Sequence, residues 1–322
     1  MKVLITGSSG FIGYWVSKEL LNNGYKVIGI DNHNDYYDIK LKKFRNTELK
    51  KNKNFYFSKI DITSIYSLKN FFKKNKIKYI VHLAAQAGVR YSIYNPKTYF
   101  DNNVLGFFNI LNIAKEFKIR HLVFASTSSV YGDVKNFPLK ESEHTSNPKS
   151  FYAATKKCNE VMGYSYSKIY DLNMTALRFF TVFGPLGRPD MSLFNFVNNM
   201  IRNKNINLFN HGRHIRDFTY VEDVAKSVHK VLLKIPKKND RFRIINIAGG
   251  NKNTLRNYVR LIQKNLNKKK IKIKYFPLQK GDVYKTEASI KRLKKIIKFV
   301  PNTKLDIGIK KYVKWFRTFY KI

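Results

Sequence analysis

One cysteine, Cys158, stands among 322 residues, so the chain has no internal disulfide and no cysteine-based metal cluster, and no metal is expected. Acidic residues are almost as conspicuously few: 21 Asp+Glu face 62 Lys+Arg, a formal charge of +41. Such an excess favours anionic partners, nucleic acid among them. The lysines, however, are dispersed, in "KKNKNF", "FFKKNKIK", "KIPKKND" and "NLNKKKIKIK". No helix-turn-helix pattern, zinc-finger spacing or aromatic RNA-binding signature accompanies them, so a specific nucleic-acid role is not expected. Glycine (16) and proline (8) are scarce while Lys, Asn, Ile, Phe and Tyr abound, which points to AT-rich coding bias. There is no repeat, no low-complexity linker, and no apolar run long enough to span a membrane. The start, "MKVLITGSSG", runs straight into a strand and a glycine loop and leaves no room for a signal peptide, so a cytoplasmic protein is expected.

What is present is strand–helix alternation. "KVLITG" (2–7), "KVIGID" (26–31), "NFYFSKIDIT" (54–63), "YIVHLAA" (79–85), "HLVFASTSSVYG" (121–132) and "MTALRFFTVFG" (174–184) read as strands. "FIGYWVSKELLNNG" (11–24), "SIYSLKNFFKKN" (64–75), "NNVLGFFNILNIAKEFK" (102–118) and the segment after "SFYAATKK" (150–157) read as helices. This alternation predicts an α/β fold with a Rossmann-type, doubly wound parallel sheet. The length allows two domains: residues 1–178 as the dinucleotide-binding unit, with about 216–247 returning to it, and 179–322 as a smaller mixed α/β unit.

The first turn, "GSSGFIG", spaces Gly7, Gly10 and Gly13 between strand and helix. Glycine there lets backbone approach a pyrophosphate, and the helix N-terminus through Phe11 and Ile12 offers free N–H groups. Asp31 ends the second strand, where an acid bonds an adenine ribose 2′-OH and repels a 2′-phosphate, favouring NAD over NADP. Strand ends should face the ligand. The candidate cofactor set therefore adds Asn32, Asp61 and Ile62 near the adenine, Leu83, Ala84, Ala85 and Gln86 after the fourth strand, and Asn102. Tyr152 and Lys156, one helical turn apart, share a helix face. A tyrosine between the Lys156 ammonium and a nicotinamide would have its pKa lowered toward neutrality. It could then take a proton from a substrate alcohol, with Thr127 bonded to the same hydroxyl. The row "STSS" (126–129) is either a cap-forming turn or a set of hydroxyls for a sugar or carboxylate.

G-x-x-G-x-x-G, "STSSVYG" and Y-x-x-x-K resemble the extended short-chain dehydrogenase/reductases, the sugar-nucleotide epimerase and dehydratase family. Longer blocks, "DNHNDYYDIKLKKFR" (31–45), "HLAAQAGVRYSIYNP" (82–96), "YAATKKCNEVM" (152–162), "RFFTVFGPLGRPDMSLFNF" (178–196), "RDFTYVEDV" (216–224) and "QKGDV" (279–283), are most similar to its UDP-glucuronate 4-epimerases. Phe183 and Leu186 depart from that pattern and remain apolar. The resemblance implies an isomerase with tightly bound NAD and a UDP-sugar substrate. In it, Tyr152 removes the C4-OH proton while C4 hydride leaves, the 4-keto sugar turns over, and both return to the other face. It further implies that Thr127, Ser128, Ser129 and Thr181, with Phe180, surround C4 and the carboxylate, and that Arg216 and Asp282 contact the UDP portion. Arg90 and Arg188 either contact phosphate or carboxylate or are surface charge. The basic surface can help recruit the diphosphate. Related dehydratases and decarboxylases carry an acid after the catalytic threonine, where this chain has Ser128-Ser129. A UDP-glucose 4-epimerase or another UDP-sugar dehydratase/decarboxylase of the family remains the alternative. A helix-paired homodimer and a galacturonate-containing polysaccharide as the end product also follow from the resemblance.

Overall fold

The computed structural model describes residues 1–250, 252–279 and 282–322. Six strands, β1 (Lys2–Thr6), β2 (Lys26–Asp31), β3 (Phe55–Lys59), β4 (Tyr79–His82), β5 (His121–Thr127) and β6 (Met174–Phe179), build most of the central sheet. Three more, β7 (Thr181–Phe183), β8 (Ile206–Leu208) and β9 (Ile215–Tyr220), lie elsewhere, and β10 (Phe242–Ile247) returns to complete it. The order is β10-β6-β5-β4-β1-β2-β3, and every pairing is parallel. Parallel strands covered on both faces are buried along their length and mostly apolar. Accordingly β6 is buried at all six positions and β1 at four of five. The chain order reverses between β1 and β4, which opens a crevice beyond their carboxyl ends.

Helices α1 (Phe11–Asn22), α2 (Ile39–Lys50), α3 (Ile65–Lys74), α4 (Tyr91–Tyr94), α5 (Pro96–Tyr99), α6 (Gly106–Glu116) and α7 (Phe151–Ile169) connect the first six strands. One core, with Val16, Leu20, Val224 and Val228, joins α1 to the later helix α9 (Val221–Leu233), α8 being Ser192–Ile201. The other core packs Leu68, Phe107, Ile110 and Phe124 on the opposite face. A third core, with Phe183, Val197, Phe218, Tyr258, Ile309 and Phe316, holds a smaller unit. That unit comprises α8, α10 (Leu255–Asn265), α12 (Leu305–Tyr320) and two small sheets, with α11 (Lys291–Ile297) packed instead against the first core. The small sheets are β11-β9-β7, where β11 is Lys252–Thr254, and β12-β8, where β12 is Ile273–Tyr275. Among the described residues no helix is long and apolar enough to cross a membrane.

Three local readings change. Residues 174–184 are two strands. The chain leaves the large sheet at Phe180, whose N–H donates to Ile247 at 3.2 Å, and β7 then pairs with β9 in the small sheet. The returning segment is α9 and β10, because β9 (215–220) belongs to the small sheet. The expected helix 102–118 begins with a π-helical turn, Phe100–Leu105, before α6. This wide turn frees the Asn103 carbonyl to accept from Asn159 of α7 at 2.6 Å, and such turns are frequent at functional sites.

Candidate active site

The crevice beyond β1 and β4 is a cavity of about 380 Å³, ample for a small-molecule ligand. Its floor is the glycine turn. Gly7 has φ +70°, and a Cβ there would lie 2.7 Å from Ala84 N; one on Gly13 would lie 2.0 Å from the Gly7 carbonyl oxygen. Side chains at either place would separate β1 from the Leu83–Ala84 segment or push α1 off its strand. Gly10 is the N-cap of α1; no side chain caps the helix and no acid occupies its first turn. Its amides, on Phe11, Ile12 and Gly13 at the cavity wall, form an anion site.

Asp31 and Asn32 line one end, with Ile62. Asp31 accepts from the backbone N–H of Ser9 at 3.2 Å and of His33 at 2.8 Å. Asp61 does not line this cavity; it faces an adjoining polar cavity that shares Asn32, Gln86 and Asn102. Burial would raise the Asp61 carboxyl, but bonds from Asn32 and Thr63 outweigh it and hold the pKa below its ordinary value. Leu83, Ala84, Ala85 and Gln86 form the middle wall beside Asn102. Asn103 carries no expected role, yet its side chain accepts from Gln86 N at 2.8 Å and donates to the Gln86 carbonyl at 3.0 Å and to Thr155 at 3.0 Å. It ties this wall to α7.

The other end holds Thr127, Ser128, Ser129, Tyr152, Lys156, Phe180, Thr181 and Arg188. Ser150 caps α7 by accepting from Ala153 N at 3.2 Å, which places Tyr152 in the first turn with its ring edge-on to Tyr99, centroids 6.0 Å apart. Lys156 is buried and donates to the Ala125 carbonyl at 2.9 Å. Burial pushes its pKa down to about 8, and Glu160 opposes that. Here the structure corrects an expectation. Burial raises the Tyr152 pKa in the protein alone, with a hydrogen bond to Thr127 and the positive charge of Arg188 pulling it back. Lys156, directed at Ala125, is not among those influences. Thr127 also donates to Ser129 Oγ at 3.2 Å and accepts from Ser129 N at 3.2 Å, so the serine row is both a turn cap and a cavity wall.

Arg188 belongs to the cavity, bound through Nε and Nη2 to Asp190, with the Nε contact 2.9 Å. Arg90, Arg216 and Asp282 stand apart from it as a separate group. Asp282 lies 3.9 Å from Arg90, 3.9 Å from Arg216 and 3.6 Å from His214 Nε2. Lys280 and Gly281 of the "QKGDV" block lie outside the described residues. Residues with no sequence-level role also enter: Asn34, Tyr36, Tyr37, Lys42 and Met191 line the cavity. Four of these come from the segment after β2 and from α2, which the strand–helix pattern had left unassigned although the long block 31–45 covers it. Buried Arg45 pins that segment, donating to the Ser9 carbonyl at 2.9 Å, the Tyr37 hydroxyl at 2.7 Å and the Leu186 carbonyl at 2.6 Å.

A glycine-floored crevice over a parallel sheet, with a Tyr–Lys pair at its inner end, defines a dinucleotide-dependent enzyme of the short-chain dehydrogenase type. The chain belongs to the NAD dependent epimerase/dehydratase family, which it matches over residues 3–248. It is 42% identical to a UDP-glucuronate 4-epimerase of Thermodesulfobacterium geofontis, over 97% of this chain and 95% of that protein. It is similar in structure to the UDP-glucuronic acid 4-epimerase of Bacillus cereus in complex with UDP-glucuronic acid and NAD (TM-score 0.92, 29% identity, 99% and 100% of the two chains). It is also similar to the UDP-glucose 4-epimerase of Thermotoga maritima with UDP-glucose (TM-score 0.89, 29% identity, 99% and 100%).

Proposed function

We propose that the chain is an NAD-dependent 4-epimerase that interconverts UDP-glucuronate and UDP-galacturonate. The observation that carries the uronate is the inner end of the cavity: hydroxyls of Thr127, Ser128, Ser129 and Thr181, with the Arg188 guanidinium, surround the space in front of Tyr152. Among the described residues the one acid lining the cavity, Asp31, is at the opposite end. Hydroxyls and a guanidinium hold a carboxylate, whereas a carboxylate at position 129 would repel it. Arg188 offers the sugar the N–H groups that Asp190 leaves unused.

The cavity fits NAD. The uncapped start of α1 and the tight Gly7–Ala84 approach suit its pyrophosphate, and Asp31 suits a free ribose 2′-OH. When bound, NAD⁺ takes up and returns the C4 hydride, and its positive ring adds to Arg188 in favouring the phenolate. The chain's own residues do the rest. Tyr152 accepts the C4-OH proton and gives it back once the 4-keto sugar has turned, Thr127 orients the phenol, and Arg216, Asp282 and Arg90 receive the UDP portion. The 4-keto uronate is a β-keto acid that loses CO2 when its C5–C6 bond aligns with the carbonyl π system. A carboxylate clamped by four hydroxyls and Arg188 is kept out of that alignment.

The protein acts as a homodimer in this reading. Phe108 of α6 and Phe151, Val161, Tyr164 and Ile169 of α7 are exposed large apolar side chains on adjacent helices, and pairing these two helices with a second copy covers them. Light scattering at micromolar concentration tests this. The activity is tested by incubating the purified protein with UDP-glucuronate and separating the nucleotide sugars. UDP-galacturonate at equilibrium is expected; turnover of UDP-glucose alone, or a pentose product, overturns the assignment.

A further inference from the structure

The Tyr152–Lys156 pair has a third member on its helix face. Glu160 follows Lys156 by four residues and Tyr152 by eight, so all three share one face of α7. Glu160 is 2% exposed and Arg178, on β6, 1%. Arg178 grips the carboxylate with both prongs, Nε to Oε1 at 2.8 Å and Nη2 to Oε2 at 2.9 Å. Ser126 donates to Glu160 Oε1 at 2.6 Å, and Lys156 donates to the carbonyl of the preceding residue, Ala125, at 2.9 Å. Two side chains of α7 therefore hold the last two residues of β5 before Thr127, one by its side chain and one by its carbonyl.

We propose that Glu160 is a positioning residue for the epimerisation assigned above, on which this inference rests: its carboxylate, fixed by Arg178, sets the strand end that presents Thr127 and supplies the counter-charge of the buried Lys156 ammonium. A buried ion pair adds little net stability over apolar side chains of the same volume, so packing alone does not account for it. The groups facing Lys156 leave Glu160 alone in this task. On β4, His82 is kept neutral by burial and by Lys156 itself, its pKa pushed down to about 3. On α7, Tyr152 is protonated at rest because burial raises its pKa. On β6, Arg178 is cationic and committed to Glu160, with the exposed-side Lys157 3.7 Å from the same carboxylate. Of the charged groups, Glu160 is the one that holds the proton on Lys156 against burial.

With the positive ring of bound NAD⁺ lowering the Tyr152 pKa, the acidic limb of the rate profile reports ionisation of Tyr152, and the alkaline limb reports loss of the Lys156 proton, which weakens the charge-assisted bond that holds Ala125. The test uses the nucleotide-bound protein with Glu160→Gln and Arg178→Met combined, which strands neither member of the Glu160–Arg178 pair as a lone buried charge, takes the counter-charge from Lys156 and keeps an oxygen for Ser126. The alkaline limb of kcat is expected to move to lower pH, with a loss above it of about tenfold for each unit moved, while KM stays within about twofold, a factor worth less than 1 kcal/mol. Ser126→Ala, which alters no charge, is expected to lower kcat several-fold at every pH and leave the limb in place. A folded double variant with the parental profile overturns the proposal. Should the double variant not fold, Ser126→Ala decides: parental kcat there overturns it. Failure of the unsubstituted protein to interconvert the two uronates refutes the activity instead, and is seen before any variant is made.

Discussion

Replacing Lys156 by methionine should make the nucleotide-free protein more stable while disabling it. The ammonium is buried among α7, β4 and β5, and its pKa is pushed from 10.5 down to about 8. At 1.36 kcal/mol per unit, keeping the proton costs the native state about 3 kcal/mol near neutral pH. Methionine has similar length and no charge. Its cost is the Ala125 carbonyl left without a donor, about 1–3 kcal/mol. The net gain is therefore about 0–2 kcal/mol, a rise in Tm of several degrees at most. The sign of the pH dependence is the sharper test. Between about pH 8 and 10.5 the unfolded lysine still binds a proton that the native one has released, so parental stability rises with pH across that window. The advantage of Lys156→Met must shrink accordingly and turn into a deficit of about 1–3 kcal/mol above it, where only the lost Ala125 bond remains. Urea unfolding of both proteins at a series of pH values measures this. A difference that stays constant from neutral to alkaline pH, or grows, refutes a buried cationic Lys156.

Denatured protein should release NAD⁺ or NADH in near-stoichiometric amount, since a cycle without net redox change has no reason to exchange it; enzymatic assay of the supernatant checks this, and turnover by a cofactor-free preparation contradicts it. Tyr152→Phe keeps the ring against Tyr99 but removes the proposed proton-transfer group, so kcat should fall by about 10²–10⁴ with UDP-sugar affinity retained by calorimetry. If Ser128, Ser129 and Thr181 clamp the substrate carboxylate as proposed, each change to alanine removes one bond worth about 1.5–3 kcal/mol, and should release CO2 and a UDP-4-keto-pentose at about tenfold or more above the parental level. Three variants that lose epimerisation yet form no keto-pentose would show that the hydroxyls do not clamp a carboxylate.

Much of the site was legible because its signals are local. The glycine spacing, Asp31 at a strand end, the hydroxyl row and the Tyr–Lys helical turn each need a stretch of a dozen residues or fewer, and the cavity contains them all. The errors share one cause. The run 174–184 is rich in apolar and β-forming residues and has no glycine or proline before Gly184, so nothing in it marks the point where β6 ends and the chain crosses to pair with β9. The segment 39–50 is rich in lysine and weakly amphipathic, yet it folds as α2 because buried Arg45 finds oxygens of two distant segments, at Ser9 and Leu186, and the hydroxyl of Tyr37 just before the helix. Asn103 looks like an ordinary helical residue until the π turn aims it at Gln86.

By itself the sequence determined the alternation of elements, hence a parallel sheet, the place of the crevice, and the residue types that meet there, because hydrophobic period, glycine turns and strand order are properties of short stretches. Tertiary structure alone decided the electrostatics. Whether Tyr152 is acidified depends on how deeply it is buried and where Lys156 points, and Lys156 points at Ala125. Whether Arg188 is free depends on Asp190, and whether Glu160 is a surface acid or a buried counter-charge depends on Arg178 arriving from the neighbouring strand. Charges act through distance and dielectric, and neither is written in the spacing of residues along the chain.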